Sequence, residues 1–269
     1  MDRGQLVAGA QVVARTVQLL KLVSKRGGGR LIADLVTSSG LTRPTVYRLL
    51  SALKATGLIE QDADTKRWYL GPESYVLGML AATRFNIERI AHEFVLRIAD
   101  RTAESAFLSI RRGIECVCLL REEGTYPIRT HVLQAGDRLP LGVGSAGLAI
   151  LAALDDEEVD RVIDANRDQF PRRFSNYTPK LIKQLVIATR ETGYAVNQGL
   201  LLAGSWGVAA AVRDYSGKPL AALSITAVEA RVQGKRVAEL GRLLVEEAEQ
   251  LAVRMRSNPT MLDAKKKIA

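Results

Sequence analysis

This sequence is poor in the residues that most often carry chemistry. Its 269 residues include two cysteines and two histidines. Cys116 and Cys118 stand two apart in a segment of strand character, so both side chains share one face, a geometry that disfavours a disulfide. Two sulfurs with His92 and His131 distant in sequence match no zinc-ligand spacing, and the cysteines read as packed and reduced. No metal or other cofactor is expected. Neither histidine belongs to a recognisable catalytic motif, and no Ser-His-acid set can be assembled. No apolar run approaches the roughly 20 residues of a membrane span, and the N-terminus lacks a charged-then-apolar export signal. Cytoplasmic residence is therefore expected, with no membrane partner. No internal repeat is present. What remains is a length sufficient for two domains, an apolar content that supports real cores, and a formal charge of +9.

The most informative stretch runs from Leu41 to Ile59. Val46, Leu49, Leu50 and Leu53 recur at helical spacing and mark a buried face. Thr42 can cap the helix, and Pro44 sits in its first turn, where a missing N–H costs little. The opposite face presents Arg43, Thr45, Tyr47 and Arg48 near the N-terminus, where a recognition helix carries its base-contacting groups. Gly57 stops the helix. Taken alone, an ordinary surface helix with a basic face fits this segment almost as well. The neighbours decide.

Upstream, Val13, Val17, Leu20 and Val23 form a helical stripe with Arg15, Lys21, Lys25 and Arg26 beside it. Gly27-Gly28-Gly29 ends that helix, and Leu31, Ile32, Leu35 and Val36 mark a short second one. Ser38-Ser39-Gly40 then turns into the recognition helix, which completes a helix-turn-helix. Beyond Ile59, a polar turn over 60–66 and the returning strand Arg67-Trp68-Tyr69-Leu70 make a wing, with Lys66 and Arg67 where a DNA backbone would meet them. Before Asn86 stand twelve basic and six acidic residues, so +6 of the chain's +9 lies in less than a third of its length. A generally basic protein would spread its charge; concentration on a helix-turn-helix is the footprint of nucleic-acid binding.

The domain boundary is expected after the wing. Pro72 to Arg84 reads as a linker helix with Val76, Leu77, Leu80 and Ala81 on one face. A second helix, from about Ile87 to Arg101, carries Ile90, Phe94 and Ile98. Strands are expected over 106–111, 115–121, 194–197, 208–213 and 220–226. Helices are expected over 145–153, 157–165, 179–192 and 236–256. This is an α+β pattern, an antiparallel sheet with packed helices. The expected division is a winged helix-turn-helix over 1–71, a linker helix over 72–85, a second domain over 86–257 and a frayed basic tail over 258–269.

Gly142-Val143-Gly144-Ser145-Ala146-Gly147 matches G-x-G-x-x-G at a helix start. As a dinucleotide fingerprint it fails, because Arg138-Leu139-Pro140-Leu141 is too short and Pro-interrupted for the required strand and no strand-ending acid follows at the right distance. On its own the loop reads slightly better as a turn permitting tight helix–sheet packing. It also has a ligand-binding use: free N–H groups at Ser145, Ala146 and Gly147 favour an anion, most simply a carboxylate.

These residues resemble the IclR-type bacterial transcriptional regulators. The resemblance is carried by 15–20, by 40–50, by Gly136-Asp137-Arg138-Leu139-Pro140-Leu141 through Ala149-Ile150-Leu151-Ala152, by Gly193-Tyr194-Ala195-Val196 and by 209–214. It extends from about Val12 to Met255. It implies a GAF-like sensor fold for the second domain and an effector site at Leu139, Leu141, Gly142, Val143, Gly144, Ser145, Ala146, Asn197, Gly207, Ser224 and Thr226. Two positions depart from the family pattern: Asn197 stands where an acid is frequent, and Gly207 stands where a bulkier residue, sometimes cysteine, is found. The loss of a side chain at Gly207 is expected to enlarge the cavity.

The resulting expectation is a ligand-responsive, homo-oligomeric transcription factor, a dimer or a dimer of dimers, on double-stranded operator DNA. Arg43, Thr45, Tyr47 and Arg48 should reach the major groove, Thr42 should cap the helix there, and Arg15, Lys66 and Arg67 should meet phosphates. The effector should be a small organic acid, aromatic acids included. The competing class is an enzyme acting on a small acid with an accessory DNA-binding domain; it needs a nucleophile–base pair or a cofactor motif, and the sequence supplies neither. An architectural DNA-binding protein would leave the second domain without a purpose.

Overall fold

A computed structural model describes residues 10–25, 28–82, 87–128, 130 and 132–257. The chain forms two compact units, Asp2–Phe85 and Asn86–Ala269.

In the first unit, helices α1 (Gln11–Val23), α2 (Ile32–Ser39) and α3 (Arg43–Ala55) precede the hairpin β1 (Ile59–Gln61) and β2 (Trp68–Leu70), then helix α4 (Pro72–Ala82). Their core is Leu19, Val23, Leu35, Val46, Leu49, Leu50, Leu53, Ile59 and Trp68. The α2–α3 turn passes through Gly40 at φ +67°, a left-handed conformation in which any Cβ is strained. All four apolar positions expected on the inner face of α3 are buried.

The first helix differs from expectation. Val13 and Val17 are 64% and 43% exposed, and Leu19 and Val23 make the contact with the core. Val17 and Leu19 are two residues apart, so on a helix they point to nearly opposite sides; α1 has two apolar faces, and one stays open. Helix α4 also departs from a single stripe, because Tyr75, Val76, Leu77, Met79 and Leu80 are all exposed. Its first turn is fastened to the head by the Glu73 N–H on the Gly57 carbonyl (3.1 Å) and the Ser74 hydroxyl on the Leu58 carbonyl (2.7 Å). The expected end of the linker helix, and the expected tail over 258–269, lie outside the described residues.

The second unit contains α5 (Ile87–Thr102), β3 (Ser105–Arg112), β4 (Glu115–Glu122), β5 (Arg138–Pro140), α6 (Gly144–Ala152), α7 (Asp156–Asn166), α8 (Gln169–Arg173), α9 (Pro179–Thr192), β6 (Ala195–Gln198), β7 (Ser205–Arg213), β8 (Pro219–Val228), a 3-10 turn at Glu229–Arg231 and α10 (Lys235–Arg256). Its six strands form one sheet in the order β5-β4-β3-β8-β7-β6, with every paired neighbour antiparallel. The fold class is thus α+β, a winged head followed by an antiparallel sheet domain. Alternation splits the strands between two cores. Ala106, Leu108, Val208, Leu223 and Ile225 face α5 and α10, while Ala195, Ala209 and Ala222 face α6, α7, α8 and α9.

Between α5 and α10, the buried Glu247 accepts from Arg97 and Arg101 (2.5 and 3.1 Å). The bond to Glu247 holds the Arg97 guanidinium above its ordinary pKa. Two elements were missed from sequence, and a third begins earlier than expected. Strand β5 was set aside as too short and Pro-interrupted, yet Pro140 lies on an edge strand, where a missing N–H is tolerated. Helix α8 has five residues, too few to show a period. Strand β7 starts three residues earlier than expected because Gly207 hides its alternation.

Candidate DNA interface and effector cavity

The burial of Val46, Leu49, Leu50 and Leu53 turns the other side of α3 outward. Arg43, Tyr47 and Arg48 are exposed there, and Thr45 is half-buried. Thr42 occupies the cap position, but its hydroxyl pairs with the Thr45 hydroxyl (2.9 Å) rather than with a backbone N–H. The expected cap is therefore a hydroxyl pair at the head of the recognition helix. Arg15 is half-buried on α1.

In the wing, Lys66 is exposed at φ +58°, in a turn organised by Asp62. The Asp62 carboxylate takes the Thr65 hydroxyl and N–H (both 2.7 Å), and these bonds lower its pKa. Arg67 is not a free phosphate ligand: its Nη1 donates to the Gly29 carbonyl (3.1 Å). Sequence reasoning also missed how the glycine run is used. Arg30 pairs with Trp68 through two backbone hydrogen bonds (3.0 and 2.9 Å), and the Tyr69 hydroxyl donates to the Gly28 carbonyl (2.8 Å). The segment after α1 is thus a third rung of the wing.

In the sheet domain, Asn197, Gly207, Thr226 and Ser105 are register partners across β6, β7, β8 and β3, which places them in one row on the face toward α6. Ser224 lies on the same face one step along, opposite Ala209 and Phe107. Asn197, Ser224 and Thr226 are all buried, and Thr226 accepts from the Thr130 hydroxyl (3.2 Å).

The start of α6 faces this row. A small cavity of about 20 Å³ lies there, with Val143 to Gly147 on one side, Ser109, Cys116 and Cys118 on the other, and Leu133, Asp137 and Leu139 completing its wall. That volume holds about one water molecule. Of the residues expected at the effector site, Leu139, Val143, Gly144, Ser145 and Ala146 line this cavity. Leu141 and Gly142 instead pack into the apolar core, with Gly142 against Ile182 and Leu151. Asn197, Gly207, Ser224 and Thr226 share the face but are not part of the cavity wall.

Gly207 corrects the expectation of added space. A Cβ there would lie 2.7 Å from Ser145 Oγ, so the serine hydroxyl already occupies the volume that a side chain would take. The cysteines also exceed their expected role. Both are free and buried, as expected, but they form the cavity floor. Burial pushes the Cys116 thiol up to about 12, so it is a neutral surface, hydrogen-bonded to Ser109.

Tyr177, which sequence reasoning did not single out, lies in the α8–α9 connection and ties the start of α6 to β6. Its hydroxyl accepts the Gly144 N–H (3.1 Å) and the Asn197 amide, and burial raises its pKa, which keeps the phenol neutral. A larger groove, about 580 Å³, runs between α10 and the C-terminal ends of α6 and α9. Arg190 and Arg213 in its lining are engaged on the carbonyls of Ala152, Leu154 and Ala153.

A winged helix-turn-helix joined in sequence to a sheet domain with a small cavity at the start of a helix defines a class: DNA-binding regulators with an effector-binding domain. Family comparison gives the particular one. Residues 79–253 match the family model described as bacterial transcriptional regulator IclR C-terminal, and residues 12–63 match the IclR helix-turn-helix domain. The chain belongs to the IclR family of bacterial transcriptional regulators. It is 29% identical over 252 residues to the HTH-type transcriptional repressor AllR of Salmonella typhimurium, covering 93% of this chain and 92% of that protein. It is likewise 29% identical over 245 residues to AllR of Escherichia coli, covering 91% and 90%.

Among solved structures, an IclR regulator from Alicyclobacillus acidocaldarius superposes with a TM-score of 0.75 at 24% identity, covering 93% of this chain and 99% of that one. An IclR homolog from Microbacterium hydrocarbonoxydans, crystallised with 4-hydroxybenzoate, gives 0.74 at 21% identity, covering 92% and 100%. At these identities the likeness establishes the fold. No described helix is long and apolar enough to cross a membrane.

Proposed function

We propose that this chain is an effector-controlled repressor. It binds an operator as a homodimer, or a dimer of dimers, and responds to a small organic acid held at the start of α6. The observation that carries the DNA half is the outward face of α3, with Arg43, Tyr47 and Arg48 exposed opposite four buried apolar residues. In this reading Arg43, Thr45, Tyr47 and Arg48 enter the major groove, Thr42 orders the helix start, and Arg15 and Lys66 meet phosphates. Arg67 does so only by sharing its guanidinium with Gly29.

Repression is favoured because the AllR relatives are named repressors. The acid effector is favoured by the N–H groups of Ser145, Ala146 and Gly147 at the first turn of α6, beside the polar row of the sheet. A carboxylate-bearing ligand in the Microbacterium relative agrees with that chemistry. Fluorescence anisotropy with the intergenic DNA beside the gene tests the reading. Binding that a small acid weakens supports it; sequence-independent binding, unaffected by any acid, rejects it.

A further inference from the structure

Val117 turns into the core beneath α5 and α10, so its neighbours Cys116 and Cys118 both face the other side of β4. The two cysteines are 5% and 2% exposed, and both line the cavity of about 20 Å³. Neither is held in a disulfide. The backbone that carries them is fixed. Cys116 pairs with Leu139 of β5, while Cys118 gives its N–H to the Asp137 carbonyl (3.0 Å) and takes the Gly136 N–H (2.8 Å). Two sulfurs therefore meet one small void from a rigid strand, which pre-organises them as a pair.

The donors present select the kind of ligand. Among the described residues no three His, Cys, Asp or Glu groups come together around an ion, so the four-ligand cage of structural zinc is absent there. Asp137 lines the same cavity, but its carboxylate accepts the Gln134 N–H (2.8 Å). What remains is a pair of sulfurs. Thiolates are soft ligands, and the ions satisfied by two of them in line are soft, closed-shell ions. Burial then sets the charge. Two bare thiolates in this apolar wall would be costly, whereas a divalent ion cancels both charges and leaves a neutral complex. The void holds about one water molecule, which is also room for one bare ion. The bonds surrendered are weak ones, from the Cys118 thiol to the Leu120 carbonyl (3.4 Å) and between the Cys116 thiol and Ser109.

We propose that Cys116 and Cys118 form a binding site for one soft divalent metal ion of the mercuric type, held between the two sulfurs. Both S–H bonds break, two metal–sulfur bonds form, and the two protons leave to solvent. No electron is transferred, so no oxidant or reductant is needed. The site does not depend on the acid-effector reading and takes a ligand of a different class.

The test is titration of the reduced full chain, at micromolar concentration, with mercuric chloride in the presence of about 0.1 mM N-acetylcysteine as competitor. Zinc chloride is the control. A paired site acts at an effective concentration above that of the free thiol, so it should win the ion from the competitor. After gel filtration the chain should carry one ion, and both of its thiols should be missing from a thiol count made in urea. Cys116→Ala and Cys118→Ala should each retain the ion at least about tenfold less well. If Cys116→Ala does not fold, Cys118→Ala and the stoichiometry of the unmodified chain decide. No uptake, two ions per chain, uptake only after unfolding, or equal retention by a folded single variant each overturn the inference. Zinc taken up as readily as mercury overturns it too, because the donor count would then be wrong.

Discussion

The hydroxyl of Ser145 stands where a side chain at Gly207 would be: a Cβ on Gly207 would lie 2.7 Å from Ser145 Oγ. One residue is on α6 and the other on β7. The glycine is thus the condition for close approach of the helix start to the sheet, and the serine hydroxyl is held over the row that contains Asn197 and Thr226.

Gly207→Ala should therefore destabilise the sheet domain by about 1–3 kcal/mol through overpacking. Much of that cost should disappear in a Ser145→Ala background, because the clashing atom is gone. Urea unfolding of the two single variants and the double variant measures the coupling. Strictly additive effects would remove the contact from the account.

The two-domain fold was legible because its signals are local and repeated. The period of Val46, Leu49, Leu50 and Leu53 and the glycine stop at Gly57 locate α3, and all four apolar residues are buried. The Gly-rich loop identified the start of α6. What escaped was set by partners distant in sequence. Nothing near Val13 and Val17 tells that Leu19, rather than they, would join Val23 in the core. Nothing near Gly207 tells that Ser145 would fill its place, or that Cys116 and Cys118 would floor a cavity. Tyr177 carried no motif, and its role depends on a backbone N–H 33 residues earlier.

On DNA, Arg48→Ala should cost about 1–3 kcal/mol and relax preference at one operator position. Lys66→Ala should instead weaken all sequences alike and lower the salt dependence by about one unit of slope. Arg67→Ala should do the same and also loosen the wing, since the Gly29 carbonyl loses its donor. Anisotropy titrations at several salt concentrations, paired with thermal melts, separate the three. Operator binding unchanged in an Arg43→Ala/Arg48→Ala double variant would falsify the placement of α3.

The head leaves Val12, Val13 and Val17 on α1, and Tyr75, Leu77 and Met79 on α4, more than 40% exposed. So much apolar surface on a small unit is the mark of an association face, and we expect it to pair two copies about a two-fold axis. Val17→Glu combined with Leu77→Glu should convert the dimer to monomer without changing the circular dichroism, because neither side chain contributes to the head core. Light scattering at micromolar concentration reads the result. An unmodified protein that is already monomeric without DNA would count decisively against pairing.

The cavity floor predicts a pH response. Burial raises the folded Cys116 thiol from 9.0 to about 12. Below pH 9 the thiol is protonated in both the folded and the unfolded chain, so its contribution is fully present. Between about pH 9 and about pH 12 the unfolded chain gives up that proton and the folded chain keeps it. Stability should then fall by about 1.4 kcal/mol per pH unit on account of this one group. The Tyr177 phenol shifts in the same direction, so the comparison must be made against a variant that retains it. Urea unfolding of the unmodified protein and Cys116→Ala at about pH 8, 9.5 and 11 isolates the thiol. The unmodified protein should lose stability more steeply across that range, by the equivalent of one proton. Alkylation by iodoacetamide at about pH 8 should be slow in the native state and rapid in urea, because the thiolate is the reactive form. Equal pH slopes for the two proteins, or rapid native alkylation of Cys116, would show that the floor of the cavity is wetter and more open than this packing allows.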